Sequence, residues 1–142
     1  SQVFYSATTA GRSWPGQVIE ADERAKAGAD ATWVYQLDRA SPIDPQRGAA
    51  HTDDIPYVFG TIDAPGSMSG TDQGARATRD AMMRAFTGLA KTGKPGLPDW
   101  THYTVPQRAT LVVGDGTTQV VNDPRQWERE LWSIAPYVQP GS

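Results

Sequence analysis

His51 is one of only two histidines in the chain, and it stands in the stretch Gly48-Ala49-Ala50-His51-Thr52-Asp53-Asp54-Ile55-Pro56-Tyr57-Val58-Phe59-Gly60. Histidine's unperturbed pKa suits proton transfer near neutral pH, and small residues before it let the backbone pass close to a neighbouring group. The pattern is that of a general base on a tight loop. A structural histidine satisfied by its neighbours would have the same local sequence, so residue types alone leave both readings open. Asp54, three residues on, falls on the same side of a helical turn and can reach the neighbourhood of the imidazole. Its carboxylate can equally cap the turn that follows; for Asp53, which points elsewhere, the cap is the expectation.

Other chemistries lack their parts. A metal held by His51, Asp53 and Asp54 would need a further ligand, and His102, beside Trp100 and Tyr103, reads as a surface residue, so neither a metal nor a cofactor is expected. Gly11-Arg12-Ser13-Trp14-Pro15 misses a G-x-S-x-G nucleophile elbow because Pro15 stands where the closing glycine belongs. Gly88 to Pro95 resembles a phosphate-binding loop, but Pro95 replaces the magnesium-holding hydroxyl, and the stretch reads as a helix C-cap. The absence of cysteine excludes thiolate metal sites, disulfides and a cysteine nucleophile. A net charge of -3 without a basic run argues against nucleic acid, and no apolar run approaches the ~20 residues of a membrane span. The first residue is Ser1 and no charged-then-apolar leader follows, so a targeting segment is expected to have been removed or to lie upstream. The compartment stays open.

The elements that would position His51 follow from periodicity. At 142 residues the chain has the length of one domain, while 14 glycines and 11 prolines make it rich in turns. Gln17 to Ala27 reads as a helix starting near Gly16, with opposite charges at Glu20/Arg24 and Asp22/Lys26 and a stop at Gly28. Thr32 to Leu37, apolar on both faces, reads as a strand inside a sheet covered on both sides. Asp38 to Ala50 is then a Pro/Gly loop, which puts His51 just beyond the end of that strand, where functional loops of open α/β sheets collect. Ile55 to Phe59 is expected to form a short helical turn with its aromatics packed inward. Thr71 and Asp72 start the longest helix, with Thr78, Met82, Ala85, Phe86 and Leu89 on its core face, Arg76, Asp80 and Arg84 on another, and Gly93 as its stop. Asp115-Gly116 marks a hairpin between Thr110–Val113 and Thr117–Val121. Asp123-Pro124-Arg125-Gln126 has the form of a capping box for a last helix burying Trp127, Leu131 and Ile134, with Pro136 as its stop and Pro140 to Ser142 as a carboxyl terminus.

Gly48 to Gly60 resembles the G-A-x-H-x-x-E/D signature, followed by an apolar turn ending in F-G, of type B carboxylesterases, the α/β-hydrolase family that includes para-nitrobenzyl esterases and cholinesterases. Met82 to Phe86 with Ala90 to Pro95, Leu97-Pro98-Asp99-Trp100 with Tyr103, Arg108 to Val113, and Val121 to Arg125 with Glu128-Arg129 are similar to later family elements, in the same order. The helix to Gly28 and Trp33 to Leu37 match the helix and strand before the catalytic histidine. The resemblance implies a serine hydrolase in which His51 takes the proton from the serine hydroxyl and returns it to the leaving alcohol, with Asp54 at the position of a supporting acid near the triad. The family's nucleophile elbow, oxyanion-hole glycines and acidic triad member all precede the histidine and have no counterpart here.

The expectation is therefore an α/β chain, residues 1–142 forming the C-terminal segment of an α/β-hydrolase domain: a strand, a long amphipathic helix, a β-hairpin and a C-terminal helix. Its partners would be the missing N-terminal portion, on the same or a separate polypeptide, and a small carboxylic ester. Alone it should be inactive, since an imidazole without nucleophile or oxyanion donors cannot run acyl transfer. The rival reading is a non-catalytic binding or assembly module that forms an oligomer through exposed core faces, because the strand is too apolar for the helices available to cover it.

Overall fold

The computed structural model describes residues 2–135, 137 and 138. A three-stranded sheet in the order β1-β2-β3 lies at its centre: β1 (Val34–Leu37), β2 (Ala109–Val113) and β3 (Thr118–Asn122). β2 is the interior strand, with Ala109, Thr110, Leu111 and Val113 all buried. It pairs in parallel with β1, Val34 opposite Thr110 and Leu37 opposite Val113, and antiparallel with β3, Ala109 opposite Asn122. A parallel pair needs a long crossover, and α4 (Gln73–Thr92) lies within it. Asp72 starts that helix, accepting the Ala75 N–H at 3.0 Å, and Gly93 ends it in the left-handed conformation, its N–H bonded to the Leu89 carbonyl at 2.9 Å. Ala75, Thr78, Met82 and Ala85 recur on one face and are buried. Three of them join Tyr57, Ile62, Trp100, Leu111 and Val113 in the core.

β1 departs from its expected setting. It lies at the sheet edge, half-buried along its whole length, with no strand on its second side among the described residues. Its anchorage is local: Tyr35 packs edge-on against Phe86 and Trp100, and the Trp100 indole N–H donates to the Val34 carbonyl at 3.1 Å. The apolarity that reads as an interior strand is present, but no segment among the described residues pairs with that edge.

The helices differ from expectation where local rules met tertiary partners. A helix, α1 (Gln2–Arg12), occupies the first residues, where no element was expected; it packs on α2 (Trp14–Lys26), with Ala10 buried. α2 starts three residues earlier than expected, Pro15 in its first turn, and Gly28 at φ +75 follows its end. The expected pairs Glu20/Arg24 and Asp22/Lys26 do not form. Lys26 bonds Glu23, Arg24 donates to Thr32 Oγ1, and Asp22 receives Arg108 and Tyr103. On α4, Asp80 likewise pairs with Arg79 and Arg76 with Asp63. An exposed i, i+4 pair contributes only about 0.3–0.5 kcal/mol, so any nearby alternative redirects it.

The last helix is corrected too. α5 (Gln126–Ser133) follows an uncapped Arg125, because Asp123, at φ +48, gives its carboxylate to Arg129 at 2.6 Å instead of capping. Trp127, Leu131 and Ile134, expected in the core, are 67%, 55% and 81% exposed. The spacing does form an apolar stripe; the described residues do not cover it. Pro136 and Pro140 to Ser142 lie outside the described residues.

Candidate active site

The site begins where β1 leaves the sheet. The Asp38 N–H donates to the Val113 carbonyl at 2.8 Å, and the chain then enters a loop that Arg39 fastens to the core. The Arg39 side chain is buried. Its Nε donates to Tyr57 Oη at 2.9 Å, its Nη2 meets Asp72 at 2.7 Å, and its Nη1 makes a short contact with Asp115 in the hairpin turn. The Tyr57 hydroxyl in turn donates to the Ser69 carbonyl at 3.0 Å. One guanidinium thus ties the end of β1 to α3 (Ile55–Val58), the N-terminus of α4 and the β2–β3 turn. Farther along, Ser41 Oγ donates to the Met68 carbonyl at 2.7 Å, and the Ser41 N–H to the Gly48 carbonyl at 3.1 Å. A single 3₁₀ turn, Pro45–Arg47, follows Asp44, whose side chain accepts the Gln46 N–H.

This pinned loop presents His51 at the first corner of a turn over residues 50–53, closed by the Asp53 N–H to the Ala50 carbonyl at 3.1 Å. Thr52 holds φ +75 at the second corner, as a type II turn requires. The imidazole is exposed and, among the described residues, takes part in no hydrogen bond. It lines an open groove of about 980 Å³ between α2, β1 and the segment entering α5, together with Gln36, Asp38, Arg47, Asp54 and Arg125. The Arg125 guanidinium lies 4.4 Å over the Trp14 ring, and burial pushes its pKa down.

The two aspartates separate cleanly. Asp53, expected to cap the turn that follows, instead accepts the Ala50 N–H upstream at 3.0 Å, while its other oxygen takes Arg47 at 3.1 Å. Asp54 sits at the start of α3 without capping it; its Oδ2 accepts the Tyr35 hydroxyl at 2.5 Å. Burial first, and then that bond, push the Tyr35 phenol well above its ordinary value of 10.0. α3 turns Tyr57 inward, whereas Phe59, expected inside with it, is largely exposed. Tyr35, Arg39 and Arg47 had gone unmarked as site residues. Arg39's partners lie 18, 33 and 76 residues away, so no local pattern announces them.

The family model described as Carboxylesterase family matches residues 13–132, most of the chain. The chain belongs to the carboxylesterase family. It is 33% identical over 108 residues to the human bile salt-activated lipase, covering 70% of this chain and 14% of the lipase. It is 29% identical over 103 residues to the para-nitrobenzyl esterase of Bacillus subtilis, covering 69% of this chain and 21% of that esterase. The solved carboxylesterase of Geobacillus stearothermophilus superposes with a TM-score of 0.65 at 31% identity, over 79% of this chain and 24% of that one. The chain therefore spans a quarter or less of these relatives and has the α/β fold of one segment of a carboxylesterase.

Proposed function

We propose that residues 1–142 form the carboxyl-terminal segment of a serine carboxylic-ester hydrolase and that His51 is its general base. The observation that carries this reading is the placement of His51: an exposed imidazole on a turn beyond the carboxyl end of β1, held against an open groove by a loop anchored at Arg39 and Ser41. In the whole hydrolase His51 takes the proton of the serine hydroxyl as that oxygen attacks the ester carbonyl, then returns it to the departing alcohol. Asp54, fixed by Tyr35, is the supporting acid beside the triad. Nucleophile, acidic triad member and oxyanion donors come from the preceding segment, which fills the groove and pairs with the open edge of β1.

The test is kinetic. The isolated chain is expected to hydrolyse an activated phenyl ester no faster than imidazole does. Joined to its amino-terminal segment it turns over, and His51→Ala there lowers kcat by roughly four to six orders of magnitude. Turnover by the isolated chain that His51→Ala abolishes would place the nucleophile within these residues instead.

A further inference from the structure

The turn that carries His51 is held by groups to which the mechanism above gives no part. Asp53 and Ala50 are joined twice: the Asp53 N–H donates to the Ala50 carbonyl at 3.1 Å, and Asp53 Oδ2 accepts the Ala50 N–H at 3.0 Å. The other carboxylate oxygen, Oδ1, takes Arg47 Nη2 at 3.1 Å. Both side chains are mostly covered, 13% exposed for Asp53 and 27% for Arg47, so water screens this pair less than a surface one. The clamp closes over a strained corner. Thr52 is β-branched and sits at φ +75, a conformation such residues avoid, which persists only where surrounding bonds impose it.

We propose that Asp53 and Arg47 are positioning residues for His51: the carboxylate, itself oriented by the guanidinium, locks the type II turn whose first corner aims the imidazole. The inference rests on His51 being the general base. Neither residue takes or gives a proton in the reaction; they act on where the imidazole points. Catalytic geometry tolerates only small errors, and a displacement of about 1 Å can cost on the order of 100-fold in rate. Cutting the carboxylate leaves Thr52 free to relax out of its positive φ, and the corner bearing His51 swings with it.

In the complete hydrolase, Asp53→Ala and Arg47→Ala are expected to lower kcat about 10- to 100-fold while KM stays within about twofold. Asp53→Asn keeps an oxygen for the Ala50 N–H but sets an amide nitrogen, which cannot accept, against Arg47, so it is expected to lose as much kcat as Arg47→Ala. A structural role alone would lower the melting temperature and leave kcat of the folded fraction at the wild-type value, which would overturn the proposal. His51→Ala is measured alongside. If it spares kcat, the assignment of His51 falls; if it abolishes turnover while Asp53→Ala and Arg47→Ala turn over like the wild type, only the clamp falls. Should Asp53→Ala fail to fold, Arg47→Ala and Asp53→Asn carry the same kcat comparison. Hydrogen exchange in the 142-residue chain gives a readout independent of catalysis. The Ala50 amide is expected to exchange about tenfold faster in Asp53→Ala than in wild type, and equal rates would remove the clamp.

Discussion

Tyr57 shows how one hydroxyl can hold two distant segments. It accepts from Arg39 Nε and donates to the Ser69 carbonyl inside the core, so Tyr57→Phe would leave a buried N–H and a buried carbonyl without partners. That loss is expected to cost about 1–3 kcal/mol, read as a lower urea midpoint at unchanged m value. Tyr35 lends itself to a pH experiment. Its phenol is held above 10.0 in the fold, so the neutral form is favoured there. The stability it adds is fully present below pH 10.0 and drains away as pH rises through the raised folded value. Burial and the bond to Asp22 raise the Tyr103 phenol as well, so phenolate absorbance should show late-ionising tyrosines, and Tyr35→Phe should diminish that late step without removing it.

At the scale of elements, the chain's apolar surfaces divide into those it covers and those it leaves open. α4 closes over the sheet, whereas, among the described residues, α5 turns Trp127, Leu131 and Ile134 outward and β1 keeps one edge unpaired. Surfaces of both kinds drive association. The chain by itself is expected to self-associate in sedimentation, and the double substitution Trp127→Ser, Leu131→Ser should shift it toward monomer. A wild-type chain that already sediments as a monomer would mean that these surfaces are too small or too scattered to bind. The same surfaces suit an assembly module; on the function proposed above, the rest of the hydrolase would cover them.

For the molecule as a whole, a long-range tie runs from α2 to the segment before β2. Asp22 receives Tyr103 Oη at 2.7 Å and Arg108 at 2.7 and 3.1 Å, across separations of 81 and 86 residues. Burial raises the Asp22 pKa, but the hydrogen bonds from Arg108 and Tyr103 and the charge of Arg108 outweigh it, leaving the carboxyl below its ordinary 3.8. The sign follows: this contribution is fully present above pH 3.8 and is lost as pH falls through the depressed folded value. Asp22→Asn is therefore expected to cost about 1–3 kcal/mol at neutral pH and to flatten the acid limb of a stability-against-pH curve. A mutant curve that runs parallel to wild type at acid pH would show that other carboxylates control acid unfolding.

The sequence by itself determined the elements whose causes are local. The 3.6-residue stripe, the Asp72 cap and the Gly93 stop define α4; the β-branched run and Asp115-Gly116 define the hairpin; the Pro/Gly loop after Leu37 places His51 at a strand's end. Motif order from Gly48 to Arg129 was enough to indicate the family. What depended on distant partners was decided by the tertiary structure. Asp22 forsook Lys26 for Arg108, Asp123 forsook its cap for Arg129, and Asp54 took Tyr35 in place of the turn it could have capped. In each case a charged or partly buried partner outweighs a local bond, worth a few tenths of a kcal/mol for the i, i+4 pair and about 1 kcal/mol for a cap, and no i, i+4 or capping rule registers a partner 6, 19 or 86 residues away. Burial follows the same logic. β1 and α5 carry the apolar patterns of covered elements, yet cover is a property of neighbours: among the described residues β1 stays half-buried with one edge unpaired, and the α5 stripe stays exposed.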